Sequence, residues 1–219
     1  MRYLAAAVAI WLAGVCSAQA TLVSYTNEAA FSIAVSDGFK VEDFENFAID
    51  ADFSAAPLVL SDFTISYHGI LPSGGYNFVS TAGVQRGGLA GNVIVGGLLG
   101  GETITFSFHS PVLAFGADFF ALNDVVRRSQ FIVDGTTFRP PVFGSVRSQF
   151  LGITSATPFT ELVIKGLPST EGFGVDNIRY KGPIFQGVDA VAAPVPPSLA
   201  LLAGALVGLT LLKRLQTSG

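Results

Sequence analysis

Thr103-Ile104-Thr105-Phe106-Ser107-Phe108, then His109-Ser110-Pro111, then Val112-Leu113-Ala114-Phe115-Gly116-Ala117-Asp118-Phe119-Phe120 is the stretch on which the fold turns. Its first run alternates, so Ile104, Phe106 and Phe108 share one face of a half-buried strand. The second run is more continuously apolar, as a strand buried on both sides would be. Gly116 inside it reads as a bulge. Two separate strands are expected, with His109 at the end of the first.

The same signals recur on either side. Gln130-Phe131-Ile132-Val133 and Thr136-Thr137-Phe138-Arg139 flank Asp134-Gly135, the strongest hairpin signal in the chain. Gln149 to Ile153, Glu161 to Lys165 and Gly174 to Tyr180 read as further strands. Upstream, Leu22 to Tyr25 predicts a short strand. Thr26 is the expected cap of a brief helix over residues 27 to 35, with Phe31, Ala34 and Val35 on one face. Phe39 to Glu45 and Asp62 to Tyr67 alternate as strands do. Residues 83 to 101 hold eight glycines. No Gly-Lys-Ser/Thr closes that run into a phosphate loop, so it reads as loop with a short strand at 92 to 95. About nine short strands separated by turn residues predict an all-β chain, a single jelly-roll-like β-sandwich with one short N-terminal helix.

Both ends differ from this interior. Arg2, the apolar run Leu4 to Val15 and the small-x-small site Ala18-Gln19-Ala20 form a secretory signal peptide over residues 1 to 20, cut before Thr21. Val15 stands where a lipoprotein box needs a small residue before Cys16. Cys16 leaves with the signal, so the mature chain holds no thiol for a disulfide or thiolate metal site. At the far end, residues 182 to 197 are a Pro/Ala/Gly linker after the domain at 21 to 181. Residues 198 to 219 then carry no charge from Ser198 to Leu212, and Lys213 and Arg214 follow at once. As a helix that uncharged run is about 22 Å long, against about 30 Å of hydrocarbon, and the two cations would snorkel on the cytoplasmic side. It is apolar on every face, which predicts a membrane-spanning helix.

Pro194, Pro196, Pro197, Ser198, the apolar helix and Lys213-Arg214 together resemble the PEP-CTERM sorting signal of Gram-negative bacteria. That family's name-giving Pro-Glu-Pro is here Val195-Pro196-Pro197-Ser198, a glutamate-free variant. The resemblance implies membrane anchoring at least before processing, and recognition near the prolines by an exosortase-type enzyme. The interior also resembles domains that precede such tails, through Phe115-Gly116-Ala117-Asp118, Phe150-Leu151-Gly152-Ile153, Phe159-Thr160-Glu161-Leu162 and Gly174-Val175-Asp176-Asn177-Ile178. This implies a secreted β-sandwich of the cell envelope or an exopolysaccharide matrix, with no assigned activity.

Chemistry-bearing residues are few. The chain has 12 basic and 16 acidic residues, and three of the basic ones (Arg2, Lys213, Arg214) lie in the end segments. The body is therefore acidic and without a basic patch, which excludes nucleic acid as a partner. His68 and His109 sit at strand ends with no Gly-x-Ser-x-Gly elbow beside them, so no catalytic residue is assigned and the chain reads as non-enzymatic. Asp43 and Glu45 fall on one face of their predicted strand. If that strand neighbours the last one, Asp43, Glu45 and Asp176 offer oxygens to a calcium ion. The alternative is that Glu45 and Asp176 are solvated or bond to backbone amides. Tyr67 and Tyr76, beside the glycine-rich segment, are the aromatics placed to stack on a polysaccharide, the alternative function, and the paired acids leave a glycan-active enzyme as the remoter one. Trp11 leaves with the signal peptide.

Overall fold

The stretch from Thr103 to Phe120 forms one strand. In the computed structural model β8 (Thr103–Phe120) runs without interruption through His109-Ser110-Pro111. The structure describes residues 21–36, 38–70, 76–82, 91–123, 129–143, 147–168 and 170–182. Ala18, Ala20 and the tail residues Pro194, Pro196, Pro197, Ser198, Lys213 and Arg214 lie outside them.

The two halves of β8 serve different neighbours. Residues 103–108 pair with β5 (Phe63–His68) and with the second half of β11 (Gln149–Gly166). Residues 112–120 pair with the first half of β11 and with β12 (Glu171–Lys181). Extended chain carries two residues nine positions apart to about 30 Å separation. The rings of Phe106 and Phe115 nevertheless lie 5.7 Å apart, and those of Phe108 and Phe115 6.4 Å. The strand therefore doubles back at 109–111. β11 bends beside it, its register against β8 shifting between Thr154 and Glu161. Proline lacks the ladder donor but is tolerated where a strand leaves its partner. Next to Pro111, His109 sends its backbone N–H to the Asp62 carbonyl at 2.8 Å.

The fold-back encloses the core. Phe63, Phe106, Phe108, Phe115, Phe119, Phe131, Phe159 and Phe173 are buried in it. Tyr180 on β12 lies 5.5 Å from Phe63 and 5.6 Å from Phe108, and its hydroxyl donates to Asp62 Oδ2 at 2.8 Å. Each buried ring contributes about 1.5–3 kcal/mol, and favourable ring pairs add about 0.5–1.5 kcal/mol.

The remaining strands extend this framework. β9 (Ser129–Val133) pairs with β11, and β10 (Thr136–Phe138) with β9. Asp134 and Gly135 join them at φ 47° and 74°, the left-handed pair that a two-residue hairpin turn needs. β7 (Val93–Leu98) pairs with the first half of β12 and β2 (Lys40–Glu42) with its second half. β6 (Phe78–Ser80) joins β7, β3 (Ala51–Asp52) joins β6, β4 (Leu58–Val59) joins β5, and β1 (Leu22–Tyr25) joins β11. The described chain is thus all-β around one short helix, α1 (Glu28–Ala34). No helix among the described residues is long and apolar enough to cross a membrane.

Four local expectations are corrected. Asn27, and not Thr26, caps α1, its Oδ1 accepting the Ala30 N–H at 2.9 Å. Ala34 is exposed, while Phe31 and Val35 are buried. β2 stops at Glu42 instead of reaching Glu45, because Phe44 turns to φ 59° and buries its ring. Gly116 is no bulge. It pairs regularly with Gly152, and the two form a bed for Phe31. A Cβ on Gly152 would lie 2.5 Å from Phe31 Cδ2, and one on Gly116 3.1 Å from Phe31 Cε1. The irregular register falls on β12 between Asp176 and Arg179, with Asn177 at φ 49°.

Gly152→Ala therefore has to move a ring already wedged between sheet and helix. It is expected to lower stability by about 1–3 kcal/mol in urea unfolding, and Phe31→Leu in the same chain should return part of the loss. An unchanged midpoint would mean that α1 is not seated there.

Candidate functional site

Two places gather the residues singled out above. The first surrounds Asp176. β2 and β12 are antiparallel neighbours, with Glu42 opposite Ile178. This sets Asp43 and Glu45, just past β2, close to Asp176 on the irregular part of β12, and Asp118 is the register partner of Asp176 on β8. Asp176 is 5% exposed. Its Oδ1 accepts the Asn177 N–H at 2.6 Å and its Oδ2 the Asn177 side-chain amide at 3.1 Å. Loss of hydration pushes its carboxyl up to about 6, the Asn177 N–H pulls it down, and the charges of Asp118, Glu45 and Asp43 push it further up.

Glu45 reaches a backbone amide. Its Oε1 accepts the Asn92 N–H at 2.9 Å, and the Asn92 side-chain amide donates to the carbonyls of Phe44 at 2.9 Å and Phe47 at 2.7 Å. Gly91 has no room for a side chain, since a Cβ there would lie 1.9 Å from Glu45 Oε1. Asp43 Oδ1 accepts the Glu45 N–H at 3.2 Å. The carboxylates share a neighbourhood, and each of the three predicted ones has an amide partner. Among the described residues no group of three or more His, Cys, Asp or Glu is arranged to hold a metal ion.

A cation not predicted from the sequence stands beside this cluster. Arg179 spans Glu28 on α1 at 2.7 Å and Asp118 at 3.1 Å, donates to the Asn177 carbonyl at 2.8 Å, and lies 5.4 Å from the centre of the Phe150 ring. Two residues on, the Lys181 ammonium donates to the carbonyls of Val35 and Ser36 at the C-terminal end of α1. Both basic residues thus fasten the helix to β12. Basic residues every second position on a strand were the available signal.

The second place holds the tyrosines. Tyr67 lies within β5 opposite Ile104 and packs on the core. Tyr76 is 40% exposed. It lies across Gly97 and Gly172, cross-strand partners on β7 and β12. Its Cγ would be 2.5 Å from a Cβ on Gly97, and its Cε1 3.4 Å from one on Gly172. The neighbouring Asn77, at φ 66°, fixes the backbone: its N–H donates to the Val95 carbonyl at 2.7 Å and its Oδ1 accepts the Gly97 N–H at 3.0 Å. Two buried carboxylates unforeseen from sequence tie the loops here. Glu102 accepts the N–H groups of Ile70 at 2.7 Å and Leu99 at 2.5 Å, and Glu171 accepts that of Asn123 at 2.5 Å.

The histidines lie apart from both places. His68 ends β5 and is exposed. His109 has Nδ1 3.1 Å from the Ser61 carbonyl and Nε2 3.1 Å from Thr64 Oγ1. A carbonyl only accepts, so Nδ1 carries the proton and the Thr64 hydroxyl donates to Nε2 when the ring is neutral.

The sequence matches no protein-family model and no curated protein.

Asp176 sets a pH dependence. Its folded value lies above the ordinary 3.8, so the folded state holds a proton that the unfolded chain releases. The stability this supplies is complete below about pH 4 and is lost as pH rises through about 6. Asp176→Asn removes that loss while keeping an acceptor for Asn177. The variant is expected to unfold at higher temperature than the parent at pH 8, by the equivalent of about 1–3 kcal/mol, and at or below the parent's temperature at pH 4. A constant difference across that range would contradict the assignment.

Proposed function

We propose that the chain is an exported, non-enzymatic protein of a Gram-negative cell envelope or extracellular matrix. In this reading residues 1–20 are a signal peptide, 21–181 a jelly-roll-like β-sandwich, 182–197 a linker and 198–219 a membrane-spanning sorting tail. One observation carries it: the strands occupy the interval between the two apolar ends. β1 starts at Leu22, two residues past Ala20, and β12 ends at Lys181, where the predicted linker begins. The sandwich reading is supported by the fold-back of β8 and by the Phe–Phe contacts across it. The tail, with Pro194, Pro196, Pro197, Ser198, Lys213 and Arg214, would be handled by an exosortase-type enzyme. Intact mass spectrometry of the native protein is expected to show loss of residues 1–20 and of everything after about residue 195. A mass that includes the tail would leave a permanent anchor in its place, and a mass that includes the leader would overturn export.

A second reading, binding of an exopolysaccharide, is favoured by Tyr76. Held on two glycines and part exposed, its ring offers a rigid apolar surface of the kind on which sugar rings stack. In affinity electrophoresis through gels containing the producing organism's own polysaccharide, Tyr76→Ala is expected to abolish retardation and Tyr76→Phe to retain it. Equal mobility of parent and Tyr76→Ala would remove this reading. A calcium ion near Asp43, Glu45 and Asp176 belongs to the same exported setting as a stiffening element. It would use carboxylate oxygens of Glu45 and Asp176 that also accept the Asn92 and Asn177 amides.

A further inference from the structure

Tyr76 begins a row of side chains along one face. After the turn at Asn77 the chain enters β6, whose Val79 is buried in the core. Side chains alternate across a strand, so the half-buried Phe78 points away from that core. Its register partners are Val95 on β7 and Asp52 on β3. Residues directly opposite share a face, which puts the exposed Asp52 beside Phe78. Gly97, covered by Tyr76, is two residues from Val95 and lies on the same outer face. The Tyr76 ring reaches from Gly97 on β7 to Gly172 on β12, so it lies along the sheet with one side on backbone and the other outward.

Polar groups border this row on the β3 side. The Ser54 hydroxyl donates to the Tyr76 carbonyl at 3.1 Å, and Asp52 Oδ1 accepts the Ser54 N–H at 2.7 Å. A carboxylate offers about four acceptor positions, so Asp52 has capacity beyond that bond. Asp50, two residues earlier, accepts the Thr81 N–H at 2.8 Å and the Thr81 hydroxyl at 2.9 Å. The β3 edge thus carries two negative charges. Lys165 lies near the 99–102 turn, opposite Thr103. It alternates on β11 with the buried Ile164 and points out of the opposite side of the fold-back.

We propose that the polymer taken by the Tyr76 surface is an uncharged polysaccharide, laid along β6 with Tyr76 and Phe78 under its sugar rings and Asp52 accepting its hydroxyls. This rests on the reading of Tyr76 as a polysaccharide contact. A pyranose has the two surfaces that such a row requires, an apolar C–H face and a rim of hydroxyl donors. Neighbouring strands are about 4.8 Å apart, and charges are screened over about 8 Å at physiological ionic strength. A uronic acid stacked on Phe78 would therefore feel Asp52 almost unscreened, and is disfavoured.

The test is affinity electrophoresis at physiological ionic strength in two gels made from one polymer. One gel holds the producing organism's polysaccharide with its carboxyl groups reduced to alcohols. The other holds the same material after its primary alcohols are oxidised to carboxylates. The parent is expected to be retarded at least threefold more by the reduced polymer. Asp52→Asn keeps an acceptor for the Ser54 N–H and is expected to narrow that difference at least twofold. Asp134→Asn, the same charge change at the β9–β10 turn, is expected to leave it as it is. Equal or stronger retardation of the parent by the oxidised polymer would overturn the proposal. So would an Asp52→Asn variant that behaves like Asp134→Asn. A parent retarded by neither gel, or a Tyr76→Ala variant that runs like the parent in both, would instead overturn the polysaccharide reading on which the proposal rests.

Discussion

The contact between Phe106 and Phe115 is the constraint from which the rest of the structure follows. Two rings on one strand can meet only if that strand reverses, and the reversal makes one continuous segment line two facing surfaces. β5 and the second half of β11 line up on one half of β8, with β9 beyond β11, and β12 and the first half of β11 on the other. A chain with 19 phenylalanines and no cysteine in its body has to derive its stability from such packing. The burial of Phe63, Phe108, Phe119 and Phe131 within one cluster shows how it does so.

Outside that cluster a smaller one fastens the N-terminal segment. Phe31, Val35, Ala114 and Phe150 form it, with Tyr25 and Phe39 alongside. It sits on the Gly116–Gly152 pair, and Arg179 and Lys181 clamp α1 from β12. The first and last elements of the body therefore hold each other.

How much of this could be read from the residues differs with the range of the interactions. The Asp134-Gly135 hairpin was legible because both positions need positive φ and the residues that accept it are few. The strands at 63–68 and 103–108 were legible from alternation. The joining of 103–108 to 112–120 was not. His109-Ser110-Pro111 carries the signals of a break, and only the partner backbone at Asp62 and the bend of β11 keep it in the strand. β2 is shorter than its alternation implies because Glu42 Oε1 takes the Phe44 N–H at 3.0 Å and Asn92 takes the carbonyls beyond it. Asn92 lies more than forty positions away in sequence. At the candidate sites, the neighbourhood of Asp43, Glu45 and Asp176 was legible from the expected pairing of first and last strands. That Glu45 and Asp176 bond to backbone amides was one of the alternatives open from sequence; that Asn92 is the partner of Glu45 was not legible, nor was the glycine pair beneath Tyr76, since both are set by contacts distant in the chain.

The fold-back is tested most directly by nuclear Overhauser contacts in the protein with selectively labelled phenylalanine. Cross-peaks between the rings of Phe106 and Phe115, and between Phe108 and Tyr180, are the expected result. Their absence, with contacts only between residues two apart along an unbent strand, would contradict it.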